Sequence, residues 1–186
     1  MQRVCLVTGA SRGIGAAIAD ALGEAGATVV GTATTEAGAA AICGRFAAKG
    51  ITGAGMALDV GSATAVDDLV ARVTQQFGAP LVLVNNAGIT QDNIVLRMKD
   101  EEWTRVIDTN LNSIFRLSKA VLRGMTKARW GRIVNISSVV GSMGNAGQAN
   151  YAASKAGMEG FTRARAREIC ARAITVNCGA PGFSDS

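Results

Sequence analysis

Four consecutive apolar residues, Val4 to Val7, lead without a break into Thr8-Gly9-Ala10-Ser11-Arg12-Gly13-Ile14-Gly15, and a helical stretch, Ala16 to Ala25, follows at once. A strand that is apolar on both faces needs cover on both faces, which a parallel sheet with helices on each side provides. Ile18 and Leu22 share one helix face, and Gly26 closes the helix. Strand, glycine-rich turn and helix are the context of a phosphate-binding loop. Glycines let the backbone approach a pyrophosphate, and the helix N-terminus supplies N–H groups and partial positive charge. The spacing is Gly-x-x-x-Gly-x-Gly, which differs from the general Gly-x-Gly-x-x-Gly fingerprint. Gly9, Ser11, Arg12, Gly13, Ile14 and Gly15 are the candidate cofactor residues here; the bland alternative is a turn built only for geometry.

The same alternation continues. Strands are expected at Thr28 to Thr32, Met56 to Val60, Leu81 to Val84, Arg132 to Ile136 and Ala173 to Cys178. Between them lie helical patterns at Glu36 to Lys49, Ser62 to Phe77, within Lys99 to Lys127, and Tyr151 to Ala171. Six strands in βα alternation define an α/β fold, a doubly wound parallel sheet of Rossmann type. No linker, repeat or low-complexity stretch divides residues 1–186, so the chain reads as one dinucleotide-binding and catalytic domain. Strands one, four, five and six end in polar or glycine-containing turns, and in such sheets those ends face one ligand crevice. They include Asn86-Ala87-Gly88 and Pro181-Gly182; Thr34, Asp59 and Val60 close strands two and three on the same side. Asp59 is expected either to meet the adenine or to cap the next helix. The second strand ends Gly31-Thr32-Ala33-Thr34, with no acid until Glu36 for a ribose 2′-hydroxyl, while Arg12 offers a guanidinium to a 2′-phosphate. NADP(H) is therefore favoured over NAD.

The chemistry is expected between Ser137 and Lys155. Ser138 ends the fifth strand, a loop follows, and Tyr151 and Lys155 lie one turn apart on the next helix. A free tyrosine titrates near ~10 and an ammonium one turn away favours its phenolate, so strand-end serine plus Tyr-x-x-x-Lys can move a proton onto a carbonyl oxygen. Most such pairs are solvated helix faces, and the motif gains meaning only from its surroundings. Asn110, inside the long helix, is a mediocre helix former whose amide needs partners. The chain has no histidine, which removes Ser-His-Asp and Cys-His sites and most zinc sites; no metal is expected. Cys5 and Cys178 fall in expected strands and read as buried thiols of a reducing compartment. The net charge of +5 is dispersed, and aromatic residues make up only 4%, which argues against a nucleic-acid binder. No signal peptide and no apolar run near ~20 residues is present, so a cytoplasmic protein without a membrane span is expected.

Taken together, Thr8 to Gly15, Asn85-Asn86-Ala87-Gly88, Asn110, Ser138, Tyr151-x-x-x-Lys155 and Pro181-Gly182 resemble the short-chain dehydrogenase/reductase family over essentially the whole chain. Asn86 to Trp103 and Gly141 to Tyr151 are similar to its bacterial 3-oxoacyl-acyl-carrier-protein reductases. The resemblance implies NADPH-dependent reduction of a 3-oxoacyl chain in fatty acid synthesis. Tyr151 would give the proton, Lys155 hold the nicotinamide ribose, Ser138 bind the carbonyl oxygen, and Asn110 hold a water linking Lys155 to solvent. It also implies a homotetramer and an acidic acyl carrier protein as partner, with Arg129 and Arg172 as docking residues near the crevice. Reduction of another ketone, or dinucleotide binding without turnover, stays open. Arg165, Gly179 and Ser184 stand where the subgroup has apolar residues, and relatives continue beyond Ser186, so a C-terminal part is expected to be missing and the sixth strand to form an open edge.

Overall fold

The computed structural model describes residues 3–182. Six parallel strands form one sheet in the order β3-β2-β1-β4-β5-β6: β1 (Val4–Val7), β2 (Thr28–Ala33), β3 (Gly53–Ala57), β4 (Val82–Asn85), β5 (Gly131–Ile136) and β6 (Ile174–Gly179). The order reverses between β1 and β4, the switch point at which such sheets open a crevice beyond their carboxyl ends. Among the described residues β6 is the last strand in the sheet order.

The helices are α1 (Gly13–Glu24), α2 (Glu36–Lys49), α3 (Ala63–Phe77), α4 (Asp100–Ile107), α5 (Ser113–Ala128), α6 (Val139–Met143) and α7 (Ala149–Ile169). Their ends follow local chemistry. Thr35 accepts a hydrogen bond from Gly38 N at 3.1 Å and Ser62 one from Ala65 N at 3.2 Å, so each caps the helix that follows it. Gly50, at φ 65°, ends α2 in the left-handed conformation that glycine adopts without strain. Alternate residues of each strand face opposite layers. Leu6, Leu83 and Ile133 pack on the face of α3 and α5 with Leu69, Val73, Leu117 and Met125. Val7, Val29 and Val84 pack on the other face with Ile42, Phe46 and Ala19. Cys5 lies in this second layer, and burial pushes its thiol up to about 11, which leaves it inert.

The observed elements correct several expectations. β3 begins at Gly53 and ends at Ala57, so Leu58, Asp59 and Val60 form the turn beyond it. Its glycines are packing requirements: a Cβ at Gly53 would sit 1.8 Å from Val29 O, and one at Gly55 2.0 Å from Ala39 O. Ser62 caps α3, while the Asp59 carboxylate accepts from Gly61 N at 2.9 Å within the turn. The loop expected after Ser138 contains the five-residue helix α6. Cys178 is half-buried and Cys43 exposed. Arg165 keeps its head group toward solvent by pairing with Glu168, three residues on. Gly179 is exposed with open space where a side chain would stand, so no packing requires glycine there; Ser184 lies outside the described residues.

Candidate active site

The first part of the crevice is assembled from the ends of β1 and β4. The Thr8 hydroxyl accepts from the backbone N–H groups of Asn86 and Ala87, each at 3.1 Å. In return the Asn86 amide donates to the carbonyls of Thr8 and Gly9, each at 3.0 Å. Gly9 takes φ 65° so that the chain can turn here. Gly15 lets α1 sit directly on this turn: its Cβ would fall 2.2 Å from Gly9 O and 2.3 Å from Asn86 Nδ2. Beyond lies a cavity of about 690 Å³. Its walls include Gly9, Ser11, Arg12, Gly13, Ile14 and Gly15, then Thr34 and Val60, then Asn86, Ala87 and Gly88, and finally Tyr151. Glycine backbone, the N-terminus of α1 and an exposed guanidinium are the donor set an anionic dinucleotide needs, and the residues present fit it. Asp59, Pro181 and Gly182 do not line this cavity; the Pro181 carbonyl instead accepts from Val139 N at 3.2 Å, beside the start of α6.

The second part is built where α7 crosses the end of β5. Lys155 is 4% exposed, and its Nζ donates to the Ile136 carbonyl at 2.7 Å. Burial disfavours its ammonium and brings its pKa down to about 8. Nζ lies 5.5 Å from the centre of the Tyr151 ring. Gly141 lets α6 pack closely on α7 here: its Cβ would come 3.0 Å from Lys155 Cβ, whereas one at Gly88 would lie 3.7 Å from Nζ, an ordinary contact. Ser138 caps α6 by accepting from Val140 N at 3.2 Å. Its hydroxyl hydrogen is not committed by that bond.

Asn110 lies in a π-helical turn, Asp108–Asn112, that joins α4 to α5 in one continuous helix. It is fully buried and its amide is fully engaged: Oδ1 accepts from Ile89 N at 2.8 Å, while Nδ2 donates to Ile89 O at 2.9 Å and Ser154 Oγ at 3.2 Å. Ser154 in turn donates to the Tyr151 carbonyl at 2.7 Å. Asn110 thus ties the segment after Gly88 to the turn of α7 that carries Tyr151 and Lys155.

Some residues of this region escape sequence reading. Asn85 donates to Asn135 and Asn135 to Thr162, each at 2.8 Å, so a polar ladder crosses β4, β5 and α7. Ser137 donates to Glu159 at 3.0 Å. Asn135 between Val134 and Ile136 is a signal for the ladder; Thr162 and Glu159 carry none.

Arg129 and Arg172 are brought together, but away from the crevice. With Ala171 and Ala173 they line a separate cavity of about 420 Å³. Arg129 precedes β5 and Arg172 precedes β6, whereas the crevice lies beyond the strands' carboxyl ends. A six-residue strand spans roughly 20 Å, so the arginines stand at the opposite end of the sheet. Trp130 lies between two further cations there, with Arg3 4.1 Å and Arg132 4.4 Å from its ring centre.

No group of three or more acidic, histidine or cysteine residues that could hold a metal occurs among the described residues, and no helix among them is long and apolar enough to cross a membrane. A parallel sheet with its glycine turn on β1, and a tyrosine and a buried lysine on the helix after β5, define a dinucleotide-dependent oxidoreductase fold. Residues 3–186 match the family model described as short chain dehydrogenase, and the chain belongs to that family. Over 184 residues it is 64% identical to the 3-oxoacyl-[acyl-carrier-protein] reductase FabG of Pseudomonas aeruginosa, covering 99% of this chain and 74% of that protein. Proteins of the same name from Vibrio cholerae and Escherichia coli are 59% and 55% identical with the same coverage.

Proposed function

We propose that this protein reduces the 3-oxo group of an acyl chain carried on acyl carrier protein to the 3-hydroxy group, with NADPH as reductant, as a step of fatty acid synthesis. The observation that carries the reading is the conjunction of Tyr151 on the cavity wall with Lys155 buried beside it, joined by the glycine turn to one crevice. The relatives' names and their 54–64% identity support the substrate class. Residues 1–186 form one dinucleotide-binding and catalytic domain in this reading.

The roles follow from placement. Gly9, Ser11, Gly13, Ile14 and Gly15 present backbone to the pyrophosphate, and Arg12 meets the 2′-phosphate that selects NADPH. Thr34 and Val60 border the adenosine end, and Asn86, Ala87 and Gly88 the nicotinamide end; Asp59, Pro181 and Gly182, expected there from the sequence, lie off the cavity wall and are given no contact. When bound, the dinucleotide supplies the hydride. Ser138 turns its free hydroxyl hydrogen to the substrate carbonyl oxygen, and Tyr151 gives that oxygen a proton as negative charge develops on it. Lys155 holds the ribose, opposes the charge left on Tyr151, and returns the proton from solvent past the turn at Asn110. A homotetramer would cover the exposed Phe115 of α5. Arg129 and Arg172 are the proposed contacts of the acidic carrier. From their end of the sheet they do not border this subunit's own crevice, so a carrier docked there would serve another subunit's site.

Tyr151→Phe tests the core of this. Turnover of an acetoacetyl thioester should fall by more than about a hundredfold while NADPH affinity stays within threefold. Residual turnover above about a hundredth of the parent rate would remove Tyr151 as the acid. Simple ketones, run alongside, report whether a thioester is the preferred substrate.

A further inference from the structure

The carbonyls of the glycine-rich turn are taken up from two directions. Asn86 binds those of Thr8 and Gly9. Arg45, reaching over from α2, binds the next two: Nη2 donates to Ala10 O at 2.7 Å, and Nη1 to Ser11 O at 3.4 Å. The Arg12 carbonyl already belongs to α1, accepting from Ala16 N at 3.2 Å. Arg45 is itself held. Its Nε donates to Asp20 Oδ1 on α1 at 2.9 Å, and the other oxygen of Asp20 lies 2.9 Å from Lys49 Nζ. The Asp20 side chain is 14% exposed. Burial opposes its ionisation, yet the bonds from Lys49 and Arg45 hold its carboxyl below the ordinary value.

A trans peptide is planar, so the C=O of one residue and the N–H of the next point in opposite directions. Fixing the Ala10 and Ser11 carbonyls on the α2 side therefore fixes the N–H groups of Ser11 and Arg12 on the other. Both residues line the 690 Å³ crevice. We propose that Arg45 is a positioning residue of the cofactor loop: anchored by Asp20, it holds two carbonyls away from the crevice so that two backbone donors face the pyrophosphate. The proposal rests on reading that crevice as a dinucleotide site. Arg45 touches no ligand in this scheme and acts only through the turn.

Arg45→Met keeps the stem and removes the donors; Arg45→Lys keeps the charge but offers no fork for two carbonyls. Two measurements on the full chain decide the matter. Hydrogen–deuterium exchange of residues 8–15 in the ligand-free protein reads the order of the turn directly. Fluorescence titration with NADPH reads its use. In Arg45→Met, exchange at Ala10, whose N–H donates to Thr32 O at 2.8 Å, should speed up about tenfold and the NADPH Kd should rise about tenfold, with kcat at saturating NADPH within twofold of the parent. Arg45→Lys should recover part of both, and Asp20→Asn should show both effects more weakly. A purely structural arginine would lower the melting temperature and leave the Kd of the folded protein alone. Unchanged exchange, or a Kd within twofold of the parent, overturns the proposal while the cofactor reading stands. Failure of the parent protein to bind NADPH overturns the cofactor reading instead, and the exchange result then still decides whether Arg45 orders the turn. Should Arg45→Met not fold, Asp20→Asn and Arg45→Lys carry the same comparison.

Discussion

Gly15→Ala and Gly44→Ala make the same chemical change in two helices and should move stability in opposite directions. Both glycines lie inside helices, where alanine is favoured by about 1 kcal/mol. Gly44 is exposed on α2 with nothing within 4 Å of a new Cβ, so that gain should appear almost undiminished. With roughly 2–4 °C per kcal/mol for a chain of this size, Gly44→Ala should melt about 1–4 °C higher. At Gly15 the methyl would sit 2.2 Å from the Gly9 carbonyl and 2.3 Å from the Asn86 amide. Both neighbours are fixed, one being backbone and the other holding two carbonyls.

Relief at Gly15 requires α1 to lift by about an ångström from the turn, given ordinary contact distances of ~3.5 Å. Overpacking of this kind costs about 1–3 kcal/mol, and each lost Asn86 bond adds about 1 kcal/mol. Set against the helix gain, the net loss is about 2–4 kcal/mol, or roughly 5–15 °C. The lift also displaces the donors at the start of α1, so NADPH affinity should fall at least tenfold in the protein that remains folded. Differential scanning calorimetry and NADPH titration of parent and both variants provide the check. Equal melting temperatures for the two alanine variants, or parent-like NADPH binding in Gly15→Ala, would refute the close-packing argument.

Lys155 is held at a pKa of about 8 by burial, against an ordinary value of 10.5, so the unfolded chain binds the extra proton between those values. Stability should therefore rise with pH through that window: the parent should gain roughly 2 kcal/mol relative to Lys155→Met between pH 7.5 and 9.5 in urea titrations, and a flat difference would count against the burial. The same titration removes the charge beside Tyr151, so kcat/KM should decline above about pH 8, a limb visible in a pH–rate profile. Replacing Arg129 and Arg172 together by glutamate should raise KM for a carrier-linked substrate about tenfold, most strongly at low salt, and leave a small thioester almost unaffected; equal effects on both would make these arginines structural. Arg12→Ala should weaken NADPH at least tenfold and NADH less than threefold; equal losses measured by titration would end its role at the 2′-phosphate.

What could be read in advance was local. β1, the glycine turn, the bodies of α2 and α3, and Tyr151 with Lys155 on one face all follow from residues close in sequence, whereas α2 is capped by Thr35, and α3 by Ser62 rather than Asp59. β3 was displaced in the reading because Gly53 and Gly55 look like breakers, whereas the backbones of β2 and α2 leave no space there for a side chain. The capped turns of α6 were too few to give a period. The clasp of Arg45 on Ala10 joins residues 35 apart, with nothing near either to announce the other. Arg129 and Arg172 were misplaced for a different reason. Both precede strands of a parallel sheet, and residues before such a strand lie at the end away from the crevice.

The proposed site has no histidine, so its proposed proton donor Tyr151 depends on how its neighbours are placed. The buried Lys155 amine is satisfied by the Ile136 carbonyl, and Gly141, without a side chain, lets α6 pack on α7 at Lys155. Asn110 and Ser154 fix the α7 turn from behind, leaving the Tyr151 side chain facing the cavity. Gly15 does the corresponding work for the glycine-rich turn, seating α1 against Gly9 and Asn86. Both halves of the crevice thus use a missing Cβ to bring two elements together, α1 onto the turn after β1 at Gly15 and α6 onto α7 at Gly141. In the proposed site charge enters at the margins, through Arg12 at one end and Lys155 at the other, so alanine at Gly15 or Gly141 should weaken the site through packing alone, with both charges still in place.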